Sequence, residues 1–181
     1  MKLIRFCIKG FRGYLGKTCI DLNDLTTVIG KNDSGKSTVL EAMDTFFNNT
    51  KMDAGDYNIN LGDTKEIRLT AVFDNLPNEV VIDETNPINL AEEYLLNSDG
   101  YLEIEKVYRG ASPSHKETYI IANHPSNKYY NNLLQLKITP LKNRAIDLNV
   151  DLDGVNLTIK SEIRKRIWEN TELEFETQVF W

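Results

Sequence analysis

The first residues of the chain alternate. Ile4, Phe6 and Ile8 point to one side and Arg5, Cys7 and Lys9 to the other, the two-residue period of a half-buried strand that ends at Gly10. Beyond a loop carrying Gly10, Gly13 and Gly16, a second alternating run places Thr18, Ile20 and Leu22 on one face, and the two runs predict an antiparallel pair. Asn23-Asp24 then turns the chain. The next run, Leu25-Thr26-Thr27-Val28-Ile29, has no polar alternation and predicts a strand covered on both faces in the middle of a sheet. From Lys36 the period lengthens: Val39, Leu40, Met43, Phe46 and Phe47 recur at spacings of three and four, forming the apolar stripe of a helix that Asn48-Asn49 ends.

Further along, Ile67, Leu69, Ala71 and Phe73 alternate with Arg68, Thr70, Val72 and Asp74, and Leu102 and Ile104 with Glu103 and Glu105. Residues 117–122 predict a hairpin partner across Gly110-Ala111-Ser112-Pro113-Ser114, so this part reads as an antiparallel meander. Ile159, Ile163 and Ile167 repeat every four residues and predict a helix over 156–170, with Arg164 and Arg166, in the same helix as Trp168, on its solvated side. Residues 174–181 read as a strand that stops at an aromatic residue with no polar tail, an ending that predicts a piece of a longer protein. The organisation expected is a P-loop core over 1–50, an antiparallel β subdomain over 51–125, and a helical segment with a final strand over 126–181. No internal repeat or low-complexity segment is evident.

Composition narrows the setting. At 181 residues, 41% hydrophobic and 27% charged, the chain has ordinary globular values. No apolar run approaches the roughly 20 residues needed to span a bilayer, and Met1-Lys2-Leu3-Ile4-Arg5 is not the start of a signal peptide, which predicts a cytoplasmic protein with no membrane partner. The net charge of −6 opposes a nucleic-acid backbone, so DNA contact is expected through other regions of the full protein. Cys7 and Cys19 fall on neighbouring predicted strands and could come close; in a reducing cytosol they read as small inert residues, and no role is assigned to them. His115 and His124 are expected in polar loops, without a companion at metal-ligand spacing.

The chemistry concentrates in Gly30-Lys31-Asn32-Asp33-Ser34-Gly35-Lys36-Ser37, which satisfies G-x-x-x-x-G-K-[ST]. Gly30 and Gly35 admit backbone conformations closed to residues with a Cβ and let N–H groups approach phosphate oxygens. The helix that follows adds the positive end of its dipole. Lys36 supplies a point charge for the β and γ phosphates, the Ser37 hydroxyl a ligand for Mg²⁺, and Thr38 a contact to the α phosphate. By chance the pattern should arise in a chain this size less than about once in a hundred. An apolar run before it and an amphipathic helix after it are the context the motif requires, so ATP with Mg²⁺ is the expected ligand.

Ile8-Lys9-Gly10-Phe11-Arg12-Gly13-Tyr14, followed by a strand and then Val28-Ile29-Gly30 through Met43, resembles the N-terminal lobe of ABC-class ATPases of the RecF and SMC type, and most of all the ATPase half of OLD-family nucleases and related phage-defence ATPases. The match covers about the first 48 residues. It implies an α/β P-loop NTPase fold, an ABC-ATPase-like N-terminal lobe with an antiparallel β meander, incomplete within this chain. It also implies that Arg12 lies near the nucleotide. The family usually carries Asn-Gly or Asn-Asn where this chain has Asn32-Asp33, which sets a carboxylate near the phosphates. In the resembled family the signature loop, the metal-binding Asp-Glu pair and the switch histidine lie further along the chain, and none is recognisable here. The resemblance therefore implies a protein that hydrolyses ATP as a homodimer joined through its ATPase heads, with an effector or nuclease domain or partner. This chain alone would be inactive.

Other features weigh less. Thr70-Ala71-Val72-Phe73-Asp74 mimics a strand ending in a metal-binding Asp but follows the P-loop too soon for this class; Asp151-Leu152-Asp153 before Gly154 reads as a solvated turn. Asn127-Lys128 is followed by Tyr129 and Tyr130, not by the aspartate of a guanine-reading motif, so adenine is favoured. Gln135 and Gln178 are candidate γ-phosphate sensors. The competing functions are a nucleotide-binding scaffold that assembles on ATP with little hydrolysis, and a small-molecule kinase, for which no arginine-rich lid is seen.

Overall fold

The computed structural model describes residues 1–31, 35–63, 65–83 and 86–180. In chain order its elements are β1 (Lys2–Lys9), β2 (Thr18–Asp21), α1 (Lys36–Asn48), a 3-10 turn (Ala54–Asp56), β3 (Glu66–Asp74), β4 (Val80–Asp83), β5 (Asn86–Ile88), β6 (Leu102–Arg109), β7 (Ser114–Pro125), a second 3-10 turn (Leu133–Gln135), α2 (Ile138–Asp147), α3 (Lys160–Trp168) and β8 (Phe175–Phe180). The main sheet runs β2-β1-β3-β6-β7-β8, and β4 pairs with β5. By contacts the chain divides into two compact units: Met1–Leu76 with Tyr101–Ile120 and the last residues from Val179, and Pro77–Gly100 with Ile121–Gln178.

In the first unit, antiparallel pairing aligns Phe6 with Ala71, Ile8 with Leu69, Ile67 with Tyr108 and Phe73 with Leu102. Since successive residues face opposite ways, these side chains share one apolar face. Helix α1 lays Val39, Ala42 and Phe46 toward the core, with the Phe46 ring edge-on to Phe6 at 5.7 Å. Asn49 ends the helix in the left-handed region at φ 53°, donating its N–H to the Thr45 carbonyl, and the Lys106 ammonium reaches the Phe46 carbonyl at 2.7 Å. The opposite face of the sheet is charged: Arg68 pairs with Glu66 and Glu105, and Arg109 with Glu66 and Glu117.

Three expectations are corrected in this unit. Residues 25–29 form no strand: Leu25 and Ile29 are 87% and 86% exposed. An extended run becomes a strand only where a neighbour offers a ladder, and no described strand pairs with this run. Cys7 and Cys19 are joined in a disulfide, because they stand directly opposite each other in the β1–β2 register with Cα atoms 4.0 Å apart. And His115 lies in β7 rather than in a loop.

The second unit is built on Leu133, Leu141, Ala145, Val150, Ile163, Ile167 and Trp168, contributed chiefly by α2 and α3. Helix α3 begins later than its hydrophobic period predicts: the Asn156 side chain accepts from the Thr158 N–H, and that local turn holds the residues before Lys160 out of the helix. Arg164 is buried, not solvated, and Trp168 is buried as well. The Arg164 guanidinium makes a two-pronged contact with the Glu93 carboxylate, Nε to Oε2 and Nη2 to Oε1, both at 2.7 Å.

His124 is likewise no loop residue: it sits in β7, fully buried, its Nδ1 donating to the Tyr94 carbonyl at 3.0 Å, with the Tyr94 and Trp168 rings edge-on to it. Burial lowers its pKa from 6.5 to about 4, the Tyr94 carbonyl opposing and Arg164 adding to the effect. Because the folded pKa lies below the unfolded one, this group's contribution to stability is whole above pH 6.5 and falls away as the pH drops toward about 4. Urea midpoints followed by Trp168 fluorescence should decline across that window, and more steeply than in His124→Gln; equal slopes would show that His124 charges freely.

Candidate nucleotide site

The site is assembled where chain direction changes sharply. Gly35 stands at the N-cap of α1 with φ 85° and ψ 10°, a left-handed conformation that favours glycine, and no side chain among the described residues caps the helix start. The first turn of α1 carries no acidic residue, so the positive end of the helix is not offset locally. The Lys36 ammonium folds back to the carbonyls of Gly30 at 2.7 Å and Lys31 at 2.5 Å, drawing the two ends of the loop together around one cation. Ser37 follows in the first turn, exposed, with Thr38 half-buried behind it. Asn32, Asp33 and Ser34 lie outside the described residues.

A second loop, residues 10–14, meets this joint. Tyr14 donates its hydroxyl to the Gly35 carbonyl at 3.3 Å, and a Cβ on Gly35 would come within 3.0 Å of that hydroxyl, so glycine is needed there for close approach as well as for φ. Arg12, itself left-handed at φ 44°, is held by backbone and side chain together. Its N–H donates to the Asp56 carbonyl at 2.8 Å, and its own carbonyl accepts from the Asn58 amide. Its guanidinium pairs through Nε with Asp56 Oδ1 at 2.7 Å and through Nη1 with Glu41 Oε2 on α1. The hydrogen bond to Asp56 is the largest influence raising the Arg12 pKa above its ordinary value.

Asp56 is held in turn. It closes a capping box with Asp53, whose N–H donates to Asp56 Oδ2 at 2.8 Å while the Asp53 carboxylate caps the 3-10 turn. The Asp53-Ala54-Gly55-Asp56 spacing was the available clue to a capped turn. What that turn faces is visible only in the fold, and so Glu41, Asp56 and Asn58 were missed from sequence.

The remaining candidates separate from this group. Asp74 ends β3, which is antiparallel to both its neighbours, β1 and β6. The Asp151 carboxylate accepts from the Asp153 N–H in a turn where Gly154 takes φ 76°. The Asn127 amide is spent on the backbone of Glu172 and Glu174. Gln178 donates to the Pro125 carbonyl, and Gln135 lies in a 3-10 turn; both belong to the second unit. No group of three or more His, Cys, Asp or Glu side chains able to hold a metal occurs among the described residues. No described helix is long and apolar enough to cross a membrane.

The family model that matches the chain is described as an AAA ATPase domain, and it covers residues 1–179. A search of curated proteins finds no match. Among solved structures, one from work on the structural biochemistry of ATP-driven dimerization and DNA-stimulated activation of SMC ATPases is similar over 65% of this chain and 67% of its own, at 13% identity and a TM-score of 0.41.

Proposed function

Because the chain belongs to the AAA ATPase domain family, we propose that its P-loop binds ATP with Mg²⁺ and that the chain is the ATP-binding lobe of a RecF/OLD-like ATPase. The observation that carries the nucleotide reading is the joint of loop and helix: a left-handed Gly35 opens α1 without a side-chain cap, and the Lys36 ammonium spans the loop ends. An anion at such a helix start meets N–H groups, a dipole and the Lys36 ammonium together.

In this reading Gly30, Lys31, Asn32, Asp33, Ser34 and Gly35 wrap the phosphates, Lys36 leaves the loop carbonyls for the β and γ phosphates, Thr38 serves the α phosphate and Arg12 approaches from the second loop. Ser37 is the ligand this chain offers Mg²⁺, which when bound supplies charge neutralisation at the phosphate oxygens. Lys36 and Ser37 orient phosphates, whereas phosphoryl transfer to water also needs a group that positions the water and further donors over the γ phosphate. Those come from elsewhere in the full protein, across a dimer of ATPase heads that ATP favours by binding within it. Control of a DNA-directed activity in the cytoplasm, in repair or phage defence, through an effector or nuclease domain, follows from the family resemblance. DNA would be held by other regions, consistent with the net charge of −6.

Calorimetry with Mg-ATP tests the reading. Lys36→Ala should weaken binding by about 1.5 to 3 kcal/mol, roughly 10-fold to 150-fold, as expected for losing a charged hydrogen bond. Mg-GTP should bind the unaltered chain less well. Equal ATP affinity before and after the substitution would overturn the assignment.

A further inference from the structure

We infer that Asp56 and Glu41 are positioning residues of the nucleotide site, holding the Arg12 guanidinium in a preset orientation beside the start of α1. The inference rests on the reading that Arg12 meets the nucleotide. It adds what sets that arginine in place.

The geometry is specific. A guanidinium presents its N–H donors in one rigid plane, so anchoring two edges determines where the rest point. Asp56 takes Nε and Glu41 takes Nη1, from opposite elements: the capped turn on one side and the second turn of α1 on the other. Among the described residues Nη2 has no hydrogen-bond or ion-pair partner, and in this reading it is the donor offered to an incoming phosphate.

Each anchor is differently built. The Asp56 side chain is only 12% exposed and is locked by its capping box with Asp53. Its backbone carbonyl also holds the Arg12 N–H, and Asn58 holds the Arg12 carbonyl, so the residue's left-handed backbone is clamped from the same segment. Glu41 is half exposed and rides on the helix whose N-terminus bears Lys36 and Ser37. Through it the arginine is keyed to the helix that would carry the phosphates. A solvated arginine loses several rotamers on binding a ligand; one already anchored does not pay that entropy again.

A buried carboxylate can also serve stability alone, so the test must separate the roles. ATP affinity is measured by calorimetry for the full chain, Arg12→Ala, Asp56→Asn, Glu41→Gln and the doubles of each with Arg12→Ala, with thermal melts alongside. Asp56→Asn and Glu41→Gln should each weaken ATP binding about 2-fold to 10-fold, the range for ordering one flexible side chain. In the Arg12→Ala background neither should add a further loss, because both act through the arginine. Asp56→Glu should recover part of the affinity. Glu41 sits on an exposed helix surface, so Glu41→Gln reports on the inference even where Asp56→Asn melts early. Losses that add in the doubles, or single variants with unchanged or tighter binding while Arg12→Ala is weakened, overturn the positioning role and leave the nucleotide reading standing. Unchanged binding in Arg12→Ala, with Lys36→Ala impaired, removes Arg12 from the site and the inference with it.

Discussion

Glu93→Ala should destabilise the second unit by about 3–5 kcal/mol, the range for removing one partner of a buried ion pair. The side chains of Arg164 and Glu93 are 7% and 3% exposed, and both prongs of the contact measure 2.7 Å. Arginine cannot shed its proton, so the truncated site would leave a charge out of water with no counter-ion. Arg164→Ala should destabilise the unit as well, because it leaves the Glu93 carboxylate buried without its counter-ion. It should also raise the His124 pKa, since Arg164 is one of the groups that lower it. Replacing both partners with apolar residues of similar volume should come out near neutral. Urea titration followed by Trp168, which is buried beside Tyr94 at 5.1 Å between rings, reads each of these. A loss below about 1 kcal/mol for Glu93→Ala, the size of a surface pair, would show that the pair is solvated in solution.

That ion pair joins residues whose partnership no local pattern specifies. The period of Ile159, Ile163 and Ile167 was enough to place a helix, and two of the three are fully buried. Nothing in the period tells that Arg164 has a carboxylate waiting from 71 residues earlier, and a charged residue off the apolar stripe is ordinarily solvated. Alternation, by contrast, carried β1, β2, β3 and β6, because each repeats apolar residues at every second position, and the turn at Gly110–Ser114 placed part of β7 as the partner of β6. At Leu25–Ile29 the opposite signal, an apolar run without alternation, predicts a covered strand that does not form, because covering depends on partners that local composition does not name. The P-loop is legible as a motif, because the pattern asks for glycines, a lysine and a serine at fixed spacing, and the left-handed Gly35 at the start of α1 fits it. Tyr14 against Gly35, and Asp56 with Glu41 around Arg12, are not legible, since they depend on how two loops and a helix end meet.

Reduction of Cys7–Cys19 should lower the stability of the first unit by about 3 kcal/mol, the chain-entropy value for a short loop. The bridge closes a loop of sequence separation 12 between β1 and the four-residue edge strand β2. Within that loop lie Gly10, Arg12 and Tyr14, so the staple restrains the segment that meets the start of α1. Without it β2 keeps only a short ladder to β1 on one side, an arrangement prone to fraying. The purified chain should expose no reactive thiol before reduction and two afterwards, Cys19 reacting first because it is exposed while Cys7 is buried. Thermal melts by circular dichroism with and without reductant should then differ by about 6–12 °C for a chain of this size. Cys7→Ser with Cys19→Ser should melt with the reduced form, whatever reductant is present. A chain that arrives with two free thiols, or melts unchanged on reduction, would return both residues to the inert role that a reducing cytosol predicts.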